Sequence, residues 1–165
     1  MPQLSLPARY LAEPSPALFQ ELSDEIVRSG NYQPSAHPLR IAAGLEAEGR
    51  AAQVRTALEA MLPGALLNPG IHLLLSEAYR QLGQTEDAHR EIVWYQAVMS
   101  GILQTGDGSI QHPWRVLMIS DEYDVLRALH QTSIRQELVT TLTGDCDKQV
   151  CEDGTEYFFE LPWLS

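Results

Sequence analysis

The stretch that decides the fold is IHLLLSEAYRQLGQTEDAHREI, residues 71–92. It follows Asn68 and Pro69, a pair typical of a helix N-cap and the first helical position. Apolar side chains then recur at helical spacing as far as Gly83, which indicates the end of one helix. Thr85 begins a second, longer helix. The stretch therefore predicts two helices joined by a tight turn at a glycine.

This helix pair resembles a tetratricopeptide repeat. The positions that carry the resemblance are Leu75, Ser76, Tyr79, Gly83, Ala88, Ile92 and Tyr95. One repeat length of about 34 residues earlier stands a more degenerate copy, formed by Ile41, Ala42, Leu45, Gly49, Val54, Leu58 and Met61. The resemblance covers residues 36–104 and implies an array of paired helices that binds a peptide or protein. A generic helix bundle with a coincidental glycine period is the alternative.

Cap and break signals extend this array towards the N-terminus. Ser15 and Pro16 read as an N-cap and a first helical residue, and Gly30 as the stop of that helix. A further pair of helices is predicted after the Pro34–Ser35 break, the first ending at Gly49 and the second at Pro63–Gly64. Residues 1–105 thus predict an antiparallel array of about five helices.

The helical spacing of apolar residues ends at Gly106-Asp107-Gly108, and a different sequence pattern follows. Residues 114–119 are β-prone, and Ser120 or Asp121 is expected to cap one short helix. Strands are predicted over residues 134–143, 148–151 and 155–159, the last two joined by a hairpin at Asp153–Gly154. We expect residues 106–165 to form a small antiparallel β cap, packed on the array as one compact unit. The predicted fold class is α+β.

The junction of array and cap carries a second resemblance. A helix pair that leads into Gly106-Asp107-Gly108, then Glu122–Tyr123, then the aromatic strand 157–159 is similar to an uncharacterised bacterial domain family of unknown function. The similarity covers residues 71–161. It supports the fold, and it implies no activity and no site residues.

The charge distribution favours encounter with a basic partner, and the alternative is that the acidic surface serves only to keep the chain soluble. The chain carries 22 acidic and 11 basic residues, a net charge of −11. Residues 121–165 hold ten of the acidic and three of the basic residues, which is −7 of the total. Such a field repels nucleic acid and anionic membranes and steers basic proteins towards the chain. The N-terminus resembles no secretory signal and no apolar run is long enough to span a membrane, so we expect a cytoplasmic protein.

No motif indicates catalysis, a cofactor or a metal. The five histidines are scattered, and neither a nucleophile elbow nor a phosphate-binding glycine loop occurs. Asp107 and His112 could be a base and its partner, but an aspartate between two glycines is first a turn. Cys146 and Cys151 match no redox or zinc motif, and we expect free thiols. The carboxylates around them lack the calcium-loop ladder, so a solvated acidic loop is expected.

Recognition of another protein is the function that remains. Our first hypothesis is an immunity-like or antitoxin-like inhibitor that masks a basic toxin. The second is a tetratricopeptide-type adaptor, and the third is an enzyme of unrecognised type with a cleft between array and cap. The residues expected to contact a basic partner are Asp145, Asp147, Glu152, Asp153, Trp163 and Tyr123, and the candidate basic residues of an adaptor groove are Arg40 and Arg80.

Overall fold

The computed structural model describes residues 4–43 and 49–164. Six helices come first: α1 (Leu6–Ala12), α2 (Pro16–Arg28), α3 (Pro38–Ala42), α4 (Ala51–Ala65), α5 (Pro69–Gln81) and α6 (Thr85–Leu103). They are followed by β1 (Trp114–Arg115), α7 (Ile119–Ala128), β2 (Ser133–Thr141), β3 (Gly144–Cys151) and β4 (Glu156–Glu160). The predicted α+β class is confirmed. Leu45 of the degenerate repeat lies outside the described residues.

Local caps set the start of three helices. The side chains of Ser5, Ser15 and Asn68 accept hydrogen bonds from the backbone N–H three residues on, at 3.4, 3.3 and 2.7 Å. In each case a proline follows within the first turn, where its missing N–H costs no helical hydrogen bond. Helix α1, which has the same signal at Ser5 and Pro7, was not predicted. The described residues before β1 therefore hold six helices rather than about five.

Helix α4 does not end where the sequence predicted. It passes through Pro63 and continues to Ala65. The prediction of a stop at Pro63–Gly64 was wrong because the last turn is held by tertiary packing. Gly64 lies so close to the loop after α2 that a Cβ atom there would be 2.0 Å from the carbonyl oxygen of Asn31. Only glycine permits this approach.

The turn between α5 and α6 has the predicted glycine geometry. Gly83 has φ +73°, and the N–H groups of Gly83 and Gln84 donate to the carbonyls of Arg80 and Tyr79 at 3.1 and 2.9 Å. These two bonds are those of a Schellman C-cap. Gly49, its counterpart in the earlier copy, has φ +83°. Both glycines are therefore in the left-handed region that other residues rarely adopt.

A buried polar contact joins α5 to α6. His72 is fully buried, and its Nδ1 lies 2.6 Å from Oε2 of Glu91 while its Nε2 lies 2.7 Å from the carbonyl oxygen of Leu66. The imidazole also stacks on the ring of Trp94, with centroids 5.6 Å apart. Both ring nitrogens thus face oxygen acceptors, so the two helices are held in one register.

Helices α1 and α2 close over the end of α6. The Tyr10 hydroxyl donates to the carbonyl of Ala97 at 2.6 Å. Beside it, the ring of Phe19 packs on Gly101, where a Cβ atom would be 2.3 Å from the ring. One apolar core runs from these residues through α5 to Phe159 and Leu161 of the C-terminal part. Array and sheet therefore share a core.

The sheet has the strand order β1-β4-β3-β2 and is mixed. β2–β3 and β3–β4 are antiparallel, as predicted, but β1 pairs parallel with β4, Trp114 opposite Phe159. Only Trp114 and Arg115 of the predicted strand over residues 114–119 form β1, because α7 begins at Ile119. The carboxylate of Asp121 accepts from the N–H groups of Leu117 and Met118 at 3.0 and 2.9 Å, which draws this segment into a helix start.

Strand β3 begins earlier than predicted. A two-residue turn after Thr141 returns the chain at Gly144, so Asp145 and Asp147 lie within β3 and the expected acidic loop was wrong at these positions. The hairpin at Asp153–Gly154 is confirmed, with Gly154 at φ +84°. Cys146 and Cys151 are unpaired and buried on β3. Five residues of strand separate their Cα atoms by roughly 16 Å, beyond the reach of a disulfide.

Asn68 joins the array to the cap. Its Oδ1 caps α5, while its Nδ2 lies 2.6 Å from Oδ1 of Asp121, 3.1 Å from Oδ2 of Asp124 and 3.2 Å from Oγ of Ser120. The N–H of Gly70 also donates to Asp124 at 3.0 Å. The N-termini of α5 and α7 are therefore held together by one buried polar network.

We expect Asn68→Ala to lower the free energy of unfolding by about 3 kcal/mol, because it removes a helix cap and leaves the buried Oδ1 of Asp121 without a donor. Urea denaturation would measure the loss. Ser15→Ala is the matched control, since it removes only a cap and should cost about 1 kcal/mol. Equal losses for the two variants would contradict a special role for Asn68.

Candidate binding cleft

A cleft lies where the array meets the C-terminal part. Its volume is about 490 Å³, within the range that holds a small ligand or a buried side chain. One wall is α2, and the other is formed by the β2–β3 turn, the end of β4 and the segment after β1. We call this site the junction cleft. Its two walls come from distant parts of the chain, residues 19–28 on one side and residues 115–162 on the other.

The floor of the junction cleft is apolar. It is formed by buried or partly buried side chains of both walls, namely Phe19, Val27, Leu67, Ile102, Val116, Leu117 and Leu161. These side chains belong to the shared core, so the floor is rigidly supported. A floor of this kind favours an occupant with an apolar stem.

Carboxylates dominate the charged lining. Asp24 comes from α2, Asp145 from β3 and Glu160 from β4, and Asp121 lies beneath them. Asp24 accepts from the Gln20 amide at 2.8 Å, and Asp145 accepts from the Thr140 hydroxyl at 2.7 Å. Both contacts are to neutral donors. Asp24 and Asp145 thus keep their charge available to a cationic group.

Two arginines also line the cleft. Nε of Arg115 lies 3.3 Å from Oε2 of Glu160, so these two charges compensate each other. Arg28 stands at the end of α2 and has no ion pair with any residue in the ranges 4–43 and 49–164. With Asp24, Asp121, Asp145 and Glu160 against two arginines, the formal lining charge is negative.

Asp121 lies at the base of the cleft and is fully buried. Desolvation raises the pKa of its carboxyl to about 7, although three N–H donors stabilise the charged form. Its contacts hold the start of α7 and the amide of Asn68. We therefore assign it to the structure of the cleft rather than to contact with an occupant.

A second buried acid stands next to Asp121. Glu122 is fully buried, its Oε2 accepts from Nε2 of Gln149 at 2.6 Å, and its other oxygen has no donor among the described residues. The carboxylate of Asp147 lies within hydrogen-bonding reach. Burial first, and then Asp147, raise the pKa of Glu122 to about 9. Burial therefore favours the neutral acid, whose carbonyl oxygen accepts from Gln149.

The segment Gly106-Asp107-Gly108 has a structural role. The N–H groups of Asp107 and Gly108 donate to the carbonyl of His112, and Oδ1 of Asp107 accepts from the N–H of Ser109. Gly108 has φ +79°, and the Trp114 ring packs so closely on it that a Cβ atom would be 2.6 Å away. The structure shows a turn that seats Trp114 beside β4.

The structure divides the predicted acidic residues among three places. Asp145 lines the junction cleft, and Asp147 faces the buried Glu122. Glu152 and Asp153 are exposed in the β3–β4 turn, where Asp153 accepts from the Gln131 amide and the N–H of Thr155. Six residues of strand place this turn roughly 20 Å from Asp145. The four carboxylates therefore do not form one surface.

The other predicted contact residues are also separated. Trp163 is 42% exposed near the C-terminus. Tyr123 is 36% exposed on α7, and its hydroxyl donates to the Gln136 side chain. Arg40 is exposed on α3, whereas Arg80 on α5 is exposed and paired with Glu77 at 2.6 Å. None of these four lines the junction cleft.

A second concave surface lies along α3, α5 and α7. Its volume is about 730 Å³, and it is lined by Leu39, Leu73, Leu74, Ile119, Tyr123 and Arg127 together with residues near Asn68. Leu39, Leu73 and Tyr123 are exposed, and Arg127 is neutralised by Asp124 at 2.8 Å. We call this surface the helical groove. It is less charged and more apolar than the junction cleft.

Sequence reasoning missed Asp24, Arg28 and Glu160. Asp24 and Arg28 lie on the polar face of a short amphipathic helix, and Glu160 ends a strand. Such positions carry charges in most proteins, so no local signal marks them. Only the tertiary fold, which places α2 across the cleft from the end of β4, gives them a shared site.

Comparison of the chain with models of protein families, with curated proteins and with solved structures gives no match. Within the described ranges, no helix has the length and apolar character needed to cross a membrane. The same residues contain no cluster of three histidine, cysteine or acidic side chains that could hold a metal ion.

The shifted pKa of Glu122 predicts a specific pH dependence. The free energy of unfolding should fall as the pH rises from about 4.3, the unfolded pKa, towards the folded pKa of about 9. Glu122→Gln keeps the donor and the acceptor but cannot ionise. We therefore expect it to gain roughly 5 kcal/mol relative to the parent between pH 4 and pH 8, which is about 1.4 kcal/mol for each pH unit above the unfolded pKa.

Urea denaturation of both proteins at the two pH values would measure this difference. Glu152→Gln, at an exposed site, is the control and should leave the pH profile unchanged. Parallel profiles for the parent and Glu122→Gln would show that Glu122 is ionised in the folded protein.

Proposed function

We propose that this chain is a non-enzymatic binding protein that holds a basic segment of a partner protein in the junction cleft. The observation that carries the proposal is the union of an apolar floor with Asp24 and Asp145 on opposite walls. A lysine or arginine side chain fits both features, since its aliphatic stem packs on apolar groups while its charged end contacts a carboxylate.

The most concrete form of this function is inhibition of a basic toxin. The net charge of −11 steers a cationic protein towards the chain and disfavours direct binding to nucleic acid or an anionic membrane. An immunity-like or antitoxin-like protein needs a rigid surface and no catalytic group of its own. A core shared by array and sheet supports such a surface. We place this protein in the cytoplasm.

The test of the proposed function is a charge reversal confined to the cleft. The tagged protein would be used to capture partners from a native lysate, and a captured basic protein would be purified and titrated calorimetrically. Asp24→Lys/Asp145→Lys should weaken binding by at least tenfold, because two attractive charges become repulsive. Binding of the parent should also weaken with salt, since the contacts lie near the surface.

Glu152→Lys/Asp153→Lys is the matched control, with the same change in net charge at the distant turn. It should retain most of the affinity. A partner that binds both variants equally would rule out the cleft, and equal losses would attribute binding to net charge alone.

The helical groove supports a second candidate function, that of a tetratricopeptide-type adaptor. Leu39, Leu73 and Tyr123 offer exposed apolar contacts along α3, α5 and α7. This arrangement suits the apolar face of a peptide better than a basic segment. Leu73→Glu should abolish binding to an assembly subunit if the adaptor function holds. The same variant should not change binding in the junction cleft.

A further inference from the structure

Strand β2 forms an open edge of the sheet. It lies last in the order β1-β4-β3-β2, and no strand of the described residues covers its outer side. The N–H of Glu152 donates to Thr132, before β2, whereas the N–H of Asp145 donates to Leu164 on the other side. Even-numbered residues of β3 therefore direct their backbone N–H and C=O groups towards β2. By the strand register, Gln136, Leu138 and Thr140 direct their own backbone groups towards the open edge.

This edge carries exposed apolar side chains. Ile134 is 63% exposed, Leu138 is 60% exposed and Leu142 is completely exposed. The three residues are spaced by four along the chain, with Leu138 in the middle. Natural sheet edges are protected by charged side chains, prolines, bulges or short strands. In β2 the register irregularity lies at the start of the strand, and the segment Arg135–Thr141 is regular. Ile134 and Leu138 lie in β2 and Leu142 is the first residue of the turn after it, so the apolar spacing runs the length of the strand.

We infer that β2 pairs antiparallel with β2 of a second copy of this chain, with Leu138 on the two-fold axis. Leu138 then lies opposite Leu138 of the second copy, and Ile134 lies opposite Leu142 of the second copy. All three exposed apolar residues are thereby matched. The outward backbone groups of Gln136 and Thr140 also meet each other, which extends the four-stranded sheet across the axis.

Neighbouring registers are less favourable. Centring the axis on Glu137 would set two carboxylates directly opposite each other. Centring it on Gln136 would set Leu138 against Ile134 and would leave Leu142 unmatched. The segment Arg135–Thr141 is regular, and Leu138 is its central residue.

The charges of β2 are compatible with this pairing. Arg135 and Glu137 form an ion pair at 2.6 Å within each chain. In the inferred register Glu137 lies opposite Val139 and Arg135 opposite Thr141 of the second copy. No like charges are directly opposed, so the edges do not repel each other.

Sedimentation equilibrium of the full-length chain over a wide concentration range tests the pairing. We expect a dimer, and we expect Leu138→Asp to halve the measured mass, because two carboxylates would meet on the axis. Leu4→Asp is the matched control, since Leu4 is also 60% exposed but lies far from β2 in sequence, and it should remain dimeric. A monomeric parent, or a dimer that survives Leu138→Asp, would overturn the inference.

Oxidative cross-linking tests the register. Leu138→Cys should form a disulfide-linked dimer readily, since directly opposite residues in a hydrogen-bonded antiparallel pair have Cα atoms about 5.5 Å apart. Gln136→Cys should not, because its two copies would be separated by about four residues, roughly 14 Å. The native cysteines are buried and provide a low background. Cross-linking through position 136 but not 138 would overturn the register.

Discussion

The start of α5 contacts the first turns of α7, and the amide of Asn68 makes this contact possible. Each helix start presents unpaired N–H groups and a positive dipole end, which would repel each other without negative charge between them. The carboxyl oxygens of Asp121 and Asp124 are the acceptors at this contact, and Asn68 donates to both at 2.6 and 3.1 Å. Gly70 has no Cβ, which leaves room for the Asp124 carboxylate. The position of the cap on the array follows from this contact.

Part of the negative charge of residues 121–165 is buried near this contact. Ten carboxylates lie in residues 121–165, but Asp121 and Glu122 are fully buried and Asp124 is nearly so. Glu122 is expected to be neutral at pH 7 because its pKa is raised to about 9. The electrostatic field outside the protein is therefore weaker at this end than the sequence count indicates. What remains is concentrated at separate places, of which the junction cleft is the one with an apolar floor.

Local signals predicted the helices well and the site poorly. The caps at Ser15 and Asn68 and the left-handed Gly83 act over three or four residues, so the sequence alone reveals them. Pro63 led to a wrong prediction of the end of α4, because tertiary packing at Gly64 outweighs the helix-breaking tendency of a proline. The parallel pairing of β1 was not predicted either. It depends on the hydrogen bonds of Asp121 to the N–H groups of Leu117 and Met118, which start α7 directly after β1. Asp24 and Asp145 share a cleft only because the tertiary fold places α2 across from the start of β3 and the end of β4, and no spacing pattern spans that distance.

The two proposed surfaces meet at the β2–β3 turn. Thr143, Gly144 and Asp145 line the junction cleft, while the adjacent Leu142 would be covered by a second copy. Contact at either surface restricts the same two-residue turn. Because restricting it once lowers the entropy cost of the second event, each binding equilibrium should strengthen the other. Such coupling must be equal in both directions. A partner held in the cleft would therefore favour the dimer, and the dimer would favour the partner to the same degree.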